Sequence, residues 1–297
     1  VFPPQGHRVT GSLDVAGLKL SALAENTKTF AALKGAALGT DAHLRFVFVG
    51  PKIESLDFTA TATGALFLPK VEGPVKVNSL KLVGHYDGSG GKLSFADAGI
   101  DADRIKGRFK GDILFSPDGI GVDLRLGKLA LTLPGVFAQP VAFQAVALEG
   151  RWDKTARTFE MKNLAATGSP FGLHATGTVS LPSGRSAGFA LTGTIGAMQV
   201  RDFVRYWPLV AAKGGRAWVD ENMPAGKVGP MAFKLAIAPG ALDAPRLPTE
   251  AVELTFPLSG VEANYIHGLT HLTAVAGTAR LTGTDFAIDV ASGKVGA

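Results

Sequence analysis

Apolar and polar residues alternate with a period of two along most of this chain. Leu44, Phe46 and Phe48 share one side, and Leu56, Phe58, Ala60 and Ala62 oppose Asp57, Thr59, Thr61 and Thr63. Ile120, Val122, Leu124 and Leu126 oppose Gly121, Asp123 and Arg125. Leu173, Ala175, Gly177, Val179 and Leu181 oppose His174, Thr176, Thr178 and Ser180. The same pattern returns in Met231, Phe233, Leu235 and Ile237, and in Val252, Leu254, Phe256 and Leu258. This period predicts antiparallel strands with one apolar and one solvated face. Turn signals punctuate it, among them Asp87-Gly88-Ser89-Gly90-Gly91, Pro117-Asp118-Gly119 and Pro182-Ser183-Gly184.

Two stretches break the period. From Leu18 to Lys34, Leu20, Leu23, Ala24, Thr27, Phe30 and Ala31 fall near helical spacing, and Gly35 ends the stretch. From Gln199 to Asn222 the pattern predicts two short helices, bent at Pro208 and at Gly214-Gly215. The chain therefore divides into a β-hairpin segment over 1–198 with a helix near 18–34, a helical insertion over 199–226, and a continuing β segment over 227–297. Leu129 to Leu148 is an uncharged run long enough for a membrane helix. Pro134-Gly135 and Pro140 interrupt it, so it reads as two strands around a turn.

A block of hairpins repeats. Leu82-Val83-Gly84-His85-Tyr86-Asp87 matches Leu148-Glu149-Gly150-Arg151-Trp152-Asp153, 66 positions on (82 to 148). Leu93 and Phe95 pair with Phe159 and Met161 at that offset, Gly111 with Gly177, and Ile113 and Phe115 with Val179 and Leu181. Repeated supersecondary units stack on their neighbours and extend a sheet along one axis.

Composition narrows the classes. Of 297 residues, 38 are Gly and 17 Pro, yet 46% are hydrophobic, which excludes a disordered chain. The chain has no Cys, which excludes disulfides, thiolate zinc sites and a Cys nucleophile. A net charge of +5 is mild and suits anionic lipid as well as other partners.

The candidate chemical motifs are weak. Gly184-Arg185-Ser186-Ala187-Gly188 has the G-x-S-x-G spacing of a nucleophile elbow, but Phe189 to Gly193 continues as a strand where a helix is needed. Gly88-Ser89-Gly90-Gly91-Lys92 lacks the Ser/Thr of a phosphate loop, because Leu93 follows the lysine. His267 and His271 are four apart without a helical pattern, so no metal is expected. Asp97, Asp101 and Asp103 read as an acidic turn. Arg104, Lys106, Arg108 and Lys110 put four cations on one strand face, spanning about 20 Å. They could meet phosphate-bearing head groups, or simply solvate the strand and discourage aggregation. No aromatic residue interleaves on that face, which argues against nucleic acid. No catalytic residue and no cofactor is predicted.

The apolar faces must be covered, closed or filled. About fifteen strands at ~4.8 Å would make a sheet about 70 Å long, more than two short helices can cover. The fold class expected is mainly β: an elongated, twisted and curled antiparallel sheet of repeated hairpins, open as a groove, with two short helical segments. A sandwich is the alternative. The candidate groove lining is Leu44, Phe46, Phe48, Leu56, Phe58, Ile120, Val122, Leu124, Leu126, Phe233, Leu235 and Ile237.

Two blocks carry a family resemblance. One is Tyr206-Trp207-Pro208 followed by Arg216-Ala217-Trp218-Val219-Asp220-Glu221-Asn222-Met223-Pro224-Ala225-Gly226-Lys227-Val228. The other runs from Pro257-Leu258-Ser259-Gly260-Val261 through Tyr265, Gly268-Leu269 and Leu272 to Gly277, Leu281-Thr282-Gly283 and Gly293-Lys294-Val295. Together they resemble the conserved region of AsmA-like proteins of the YhdP type, relatives of TamB in the bridge-like lipid transfer superfamily. The resemblance is specific over 199–297 and diffuse over 40–198, and His267 and Thr270 stand where prolines are expected. It implies a periplasmic segment of a protein anchored in the inner membrane by a helix outside this chain. It further implies a β groove that carries phospholipid acyl chains between inner and outer membrane, without catalytic residues. Envelope proteins are conceivable partners, and a scaffold for outer-membrane assembly that carries no lipid is the alternative. An ester hydrolase would rest on Ser186 alone.

Overall fold

A computed structural model describes residues 6–22, 35–67, 73–209, 213–244, 247–264 and 270–296. The chain is mainly β, with seventeen antiparallel strands that do not close into a barrel and few short helices. It forms two compact units, 1–131 and 132–297. The helical insertion, the β segment after it and residues 132–198 before it thus fall in one unit.

The first unit is a meander. β1 (Arg8–Lys19), β2 (Ala36–Val49), β3 (Lys52–Leu66), β4 (Val75–Asp87), β5 (Lys92–Ala102), β6 (Ile105–Phe115) and β7 (Gly119–Leu131) each pair with the next. Strand β1 runs through Leu18 and Lys19, where a helix was expected to begin. Leu20–Ala22 are helical, and the remainder of that expected helix, 23–34, lies outside the described residues.

In the second unit β8 (Val141–Asp153), β9 (Thr158–Thr167), β10 (Gly172–Ser180) and β11 (Gly188–Ile195) form a meander. Strand β11 then pairs with β14 (Met231–Ile237). Between them the chain makes an excursion through β12 (Met198–Gln199), α1 (Val200–Tyr206), α2 (Lys213–Asn222) and β13 (Ala225–Val228). β13 and β14 lie one after the other along β15 (Val252–Ala263), followed by β16 (Leu272–Thr282) and β17 (Phe286–Val295). The uncharged run around Pro134 is the expected turn between β7 and β8. No helix among the described residues is long and apolar enough to cross a membrane.

The repeat is structural. Strands β4, β5 and β6 correspond at the 66-residue offset to β8, β9 and β10, with both ends of β4 and β8 coinciding. The register shifts just before Gly84 in one copy and just before Gly150 in the other. Gly111 and Gly177 adopt the same positive-φ backbone, at φ 134° and 136°. A Cβ at either would strike a neighbouring backbone carbonyl, of Asp123 or Ala190, so only glycine fits these bulges.

Candidate functional site

Antiparallel register assembles the alternating residues into rows across the sheet. In the first unit one row is Leu13, Leu44, Phe58, Gly84, Phe95, Gly111 and Leu124, each opposite the next. Beside it run Phe46, Leu56, Tyr86, Leu93, Ile113 and Val122. A third row takes in Ala60, Leu82, Ala98, Phe109 and Leu126. Rings bridge the rows edge to face, Phe58 to Phe95 at 6.1 Å and Phe95 to Phe109 at 5.3 Å. At Gly84 the Phe58 ring lies over the glycine: a Cβ there would stand 2.6 Å from it.

All twelve predicted lining residues lie on these apolar faces, and every one is half-buried rather than enclosed. Leu44, Phe46, Phe48, Leu56, Phe58, Ile120, Val122, Leu124 and Leu126 belong to the first unit, and Phe233, Leu235 and Ile237 to the second. Among the described residues of the first unit, one end carries a cluster of enclosed apolar side chains. There Ala36, Leu38, Ala62, Val75, Val77 and Ala102 form a buried cluster, with Leu20 and Leu66 packed on it.

The opposite face of the first unit is a charged ladder, and it holds the four predicted cations. Lys106, Arg108 and Lys110 alternate with the apolar side of β6 and are exposed. Lys106 Nζ lies 3.0 Å from Asp101, and Arg108 lies 3.6 Å from Asp97, which Lys81 also approaches at 3.0 Å. Arg104 precedes the strand. Asp97 and Asp101 both titrate below the ordinary carboxylate range, because the Lys81 and Lys106 ammonium groups donate hydrogen bonds to their charged forms. The acidic cluster expected to be a turn is thus two strand residues of β5 that pair with the basic stripe, with Asp103 just beyond. Strands β5 and β6 are neighbours, a pairing that neither local pattern contains.

Further along that face His43 Nδ1 stands 2.6 Å from Asp14, and His85 Nδ1 stands 2.7 Å from Asp57. No group of three or more metal-ligating side chains occurs among the described residues. His267 lies outside them. Gly88–Gly91 is the β4–β5 hairpin turn, in which Asp87 accepts hydrogen bonds from the Ser89 hydroxyl and backbone N–H. Ser186 lies in the β10–β11 turn, and β11 follows it as expected, so the strand-to-helix geometry of a nucleophile elbow is absent there.

In the second unit α1 and α2 lie on the apolar face. Phe203 and Trp207 join the main buried cluster with Phe256, Leu258 and Val275, and Trp218 packs against it. The Phe203 and Phe256 rings meet at 5.4 Å, and Trp218 meets Phe286 at 5.6 Å. Polar tethers hold the layer. Arg216, only 12% exposed, donates to the Val204 and Trp207 carbonyls and lies 3.6 Å from Asp220. Arg205 donates twice to the Pro140 carbonyl, and the Tyr206 hydroxyl donates to the Ala142 carbonyl. Gly214-Gly215, expected to break the helix, forms the first turn of α2. A Cβ on Gly215 would stand 2.9 Å from Leu281 Cδ1, so glycine there lets the helix backbone sit directly on the sheet.

Two apolar cavities flank this layer. One of about 240 Å³ lies under α1, lined by Phe171, Phe203, Trp207, Phe233 and Leu235 among others. The other, about 750 Å³, is lined by Trp218 of α2 with Leu258, Val275, Phe286 and Ile288. Sequence reading placed Phe233 and Leu235 and offered Trp218 as a residue that caps or lines the groove, but missed Phe171 and Phe286 as lining. The aromatic residues around Pro208 were the available signal. No family model, no curated protein and no solved structure matches this chain.

Proposed function

We propose that this chain is a segment of a lipid conduit, whose one-sided apolar face carries phospholipid acyl chains while head groups stay in water. The reading extends to a periplasmic location between two membranes, anchored through segments outside this chain, as the resemblance to AsmA-like proteins implies. One observation carries it: the rows through Leu44, Phe58, Phe95 and Leu124 remain half-buried along the first unit, opposite a face that carries ion pairs such as Lys81–Asp97. Large apolar patches of this kind mark ligand or membrane sites. The proposed work is not enzymatic. Each CH₂ kept from water is worth about 0.8 kcal/mol, so a continuous apolar face removes most of the barrier to moving a chain. Head-group contact by Arg104, Lys106, Arg108 and Lys110 is part of the same proposal; Lys106 and Arg108 are exposed while paired with Asp101 and Asp97.

Solvent extraction of the purified protein followed by mass spectrometry tests the reading. Phospholipid is expected to co-purify, and Phe46→Asp or Leu124→Asp to deplete it strongly, because a carboxylate on the apolar face disfavours hydrocarbon beside it. Absence of lipid from the unaltered protein, or full lipid content in both variants, would overturn it. The scaffold reading has its own observation, the exposed Val290 and Val295 of β17. It predicts capture of an envelope protein by strand pairing with no lipid bound.

A further inference from the structure

We propose that the 750 Å³ cavity between α2 and β15–β17 is a second hydrocarbon-chain compartment, divided from the cavity under α1 by a wall one side chain thick. The inference rests on the acyl-chain reading above and deepens it. Its first support is continuity. Phe233, Leu254, Leu281 and Phe286 form one register row across β14, β15, β16 and β17. Phe233, Leu254 and Leu281 line the smaller cavity, and Phe286 lines the larger. A single apolar stripe therefore passes from one cavity to the other beneath the first turn of α2. The wall is Leu281, with the Gly215 backbone pressed on it. A Cβ there would lie 2.9 Å from Leu281, 3.6 Å from Phe286 and 3.8 Å from the Trp207 ring.

The second support is chemistry. The larger cavity has the volume of a small-molecule site, and no charged side chain among the described residues lines it. Its one hydroxyl, on Thr284, is already engaged with Asp285 and Thr249. A charged or strongly polar ligand pressed against this lining would lose water contacts without gaining a charged partner among the described residues, which is costly. A hydrocarbon chain needs none. The occupant is therefore an alkyl chain of a lipid, reached along the same stripe that crosses the smaller cavity.

Tryptophan fluorescence resolves the two compartments, because Trp218 lines the larger and Trp207 the smaller. Trp152, on the row with Phe159 and Ile237, reports the rest of the face. The full chain and its Trp218→Phe variant are titrated with 9,10-dibromostearate, with stearate as the non-quenching control. Quenching is expected to be larger in the full chain, by the Trp218 share. Val290→Phe fills the larger cavity from an exposed position and should cut that share at least threefold, leaving the remainder unchanged. Equal quenching in the full chain and Trp218→Phe overturns the second compartment and leaves the acyl-chain reading standing. Retention of the Trp218 share in Val290→Phe also overturns it. Quenching in neither protein removes both readings.

Discussion

The helical layer in place of a second sheet makes a quantitative prediction about Phe203 and Phe256. These rings lie 5.4 Å apart at 61°, one on α1 and one on β15, and are 6% and 1% exposed. Truncating either to Ala removes a buried ring and leaves a cavity, which costs about 3–5 kcal/mol. For a unit of this size each kcal/mol shifts Tm by about 2–4 °C, so each variant should melt roughly 6–20 °C lower. The pair also makes an edge-to-face contact worth about 0.5–1.5 kcal/mol beyond the area it buries. Phe203→Ala with Phe256→Ala should therefore cost less than the two single changes together, by about that amount. Urea unfolding followed by tryptophan emission measures the cycle, since Trp207 and Trp218 both sit in the layer. An unchanged dependence on urea concentration verifies that unfolding exposes the same surface. A coupling within about 0.3–0.5 kcal/mol of zero would mean that the rings do not meet, and that α1 does not cover this face.

Two further outcomes are expected. Gly193→Ala should destabilise by about 1–3 kcal/mol, because its Cβ would meet the His174 carbonyl and stand 2.7 Å from the Phe233 ring, whereas Gly172→Ala, with open space around it, should stay within about 0.5 kcal/mol in the same denaturation experiment. Asp112 accepts hydrogen bonds from Ser94 at 2.6 Å and from Lys92 at 2.9 Å, which hold its pKa below the ordinary value. Its contribution is complete above the unfolded value of about 3.9 and lost as pH falls through the lower folded value. The urea midpoint should therefore fall over that acid range, and less steeply in Ser94→Ala.

Much of the strand architecture is legible from local pattern. A period of two sets which side chains share a face, and the stretch Met231 to Ile237 coincides with β14 residue for residue. The repeat is legible too, because Gly111 and Gly177 each occupy a backbone conformation that only glycine accepts comfortably. What alternation cannot contain is the partner of each face. Lys106 and Asp101 read as a cationic stripe and an acidic turn until β5 and β6 lie side by side, where strand pairing makes them an ion pair. Gly214-Gly215 reads as a helix break because glycine weakens helices. Contact with Leu281 makes the same absence of a side chain a condition for seating α2 on the sheet. Strand periodicity is a property of consecutive residues and was set by the chain alone. The covering of the second unit's apolar face by α1 and α2, and the half-buried state of the first unit's face, depend on contacts between residues far apart in sequence, which only the tertiary structure decided.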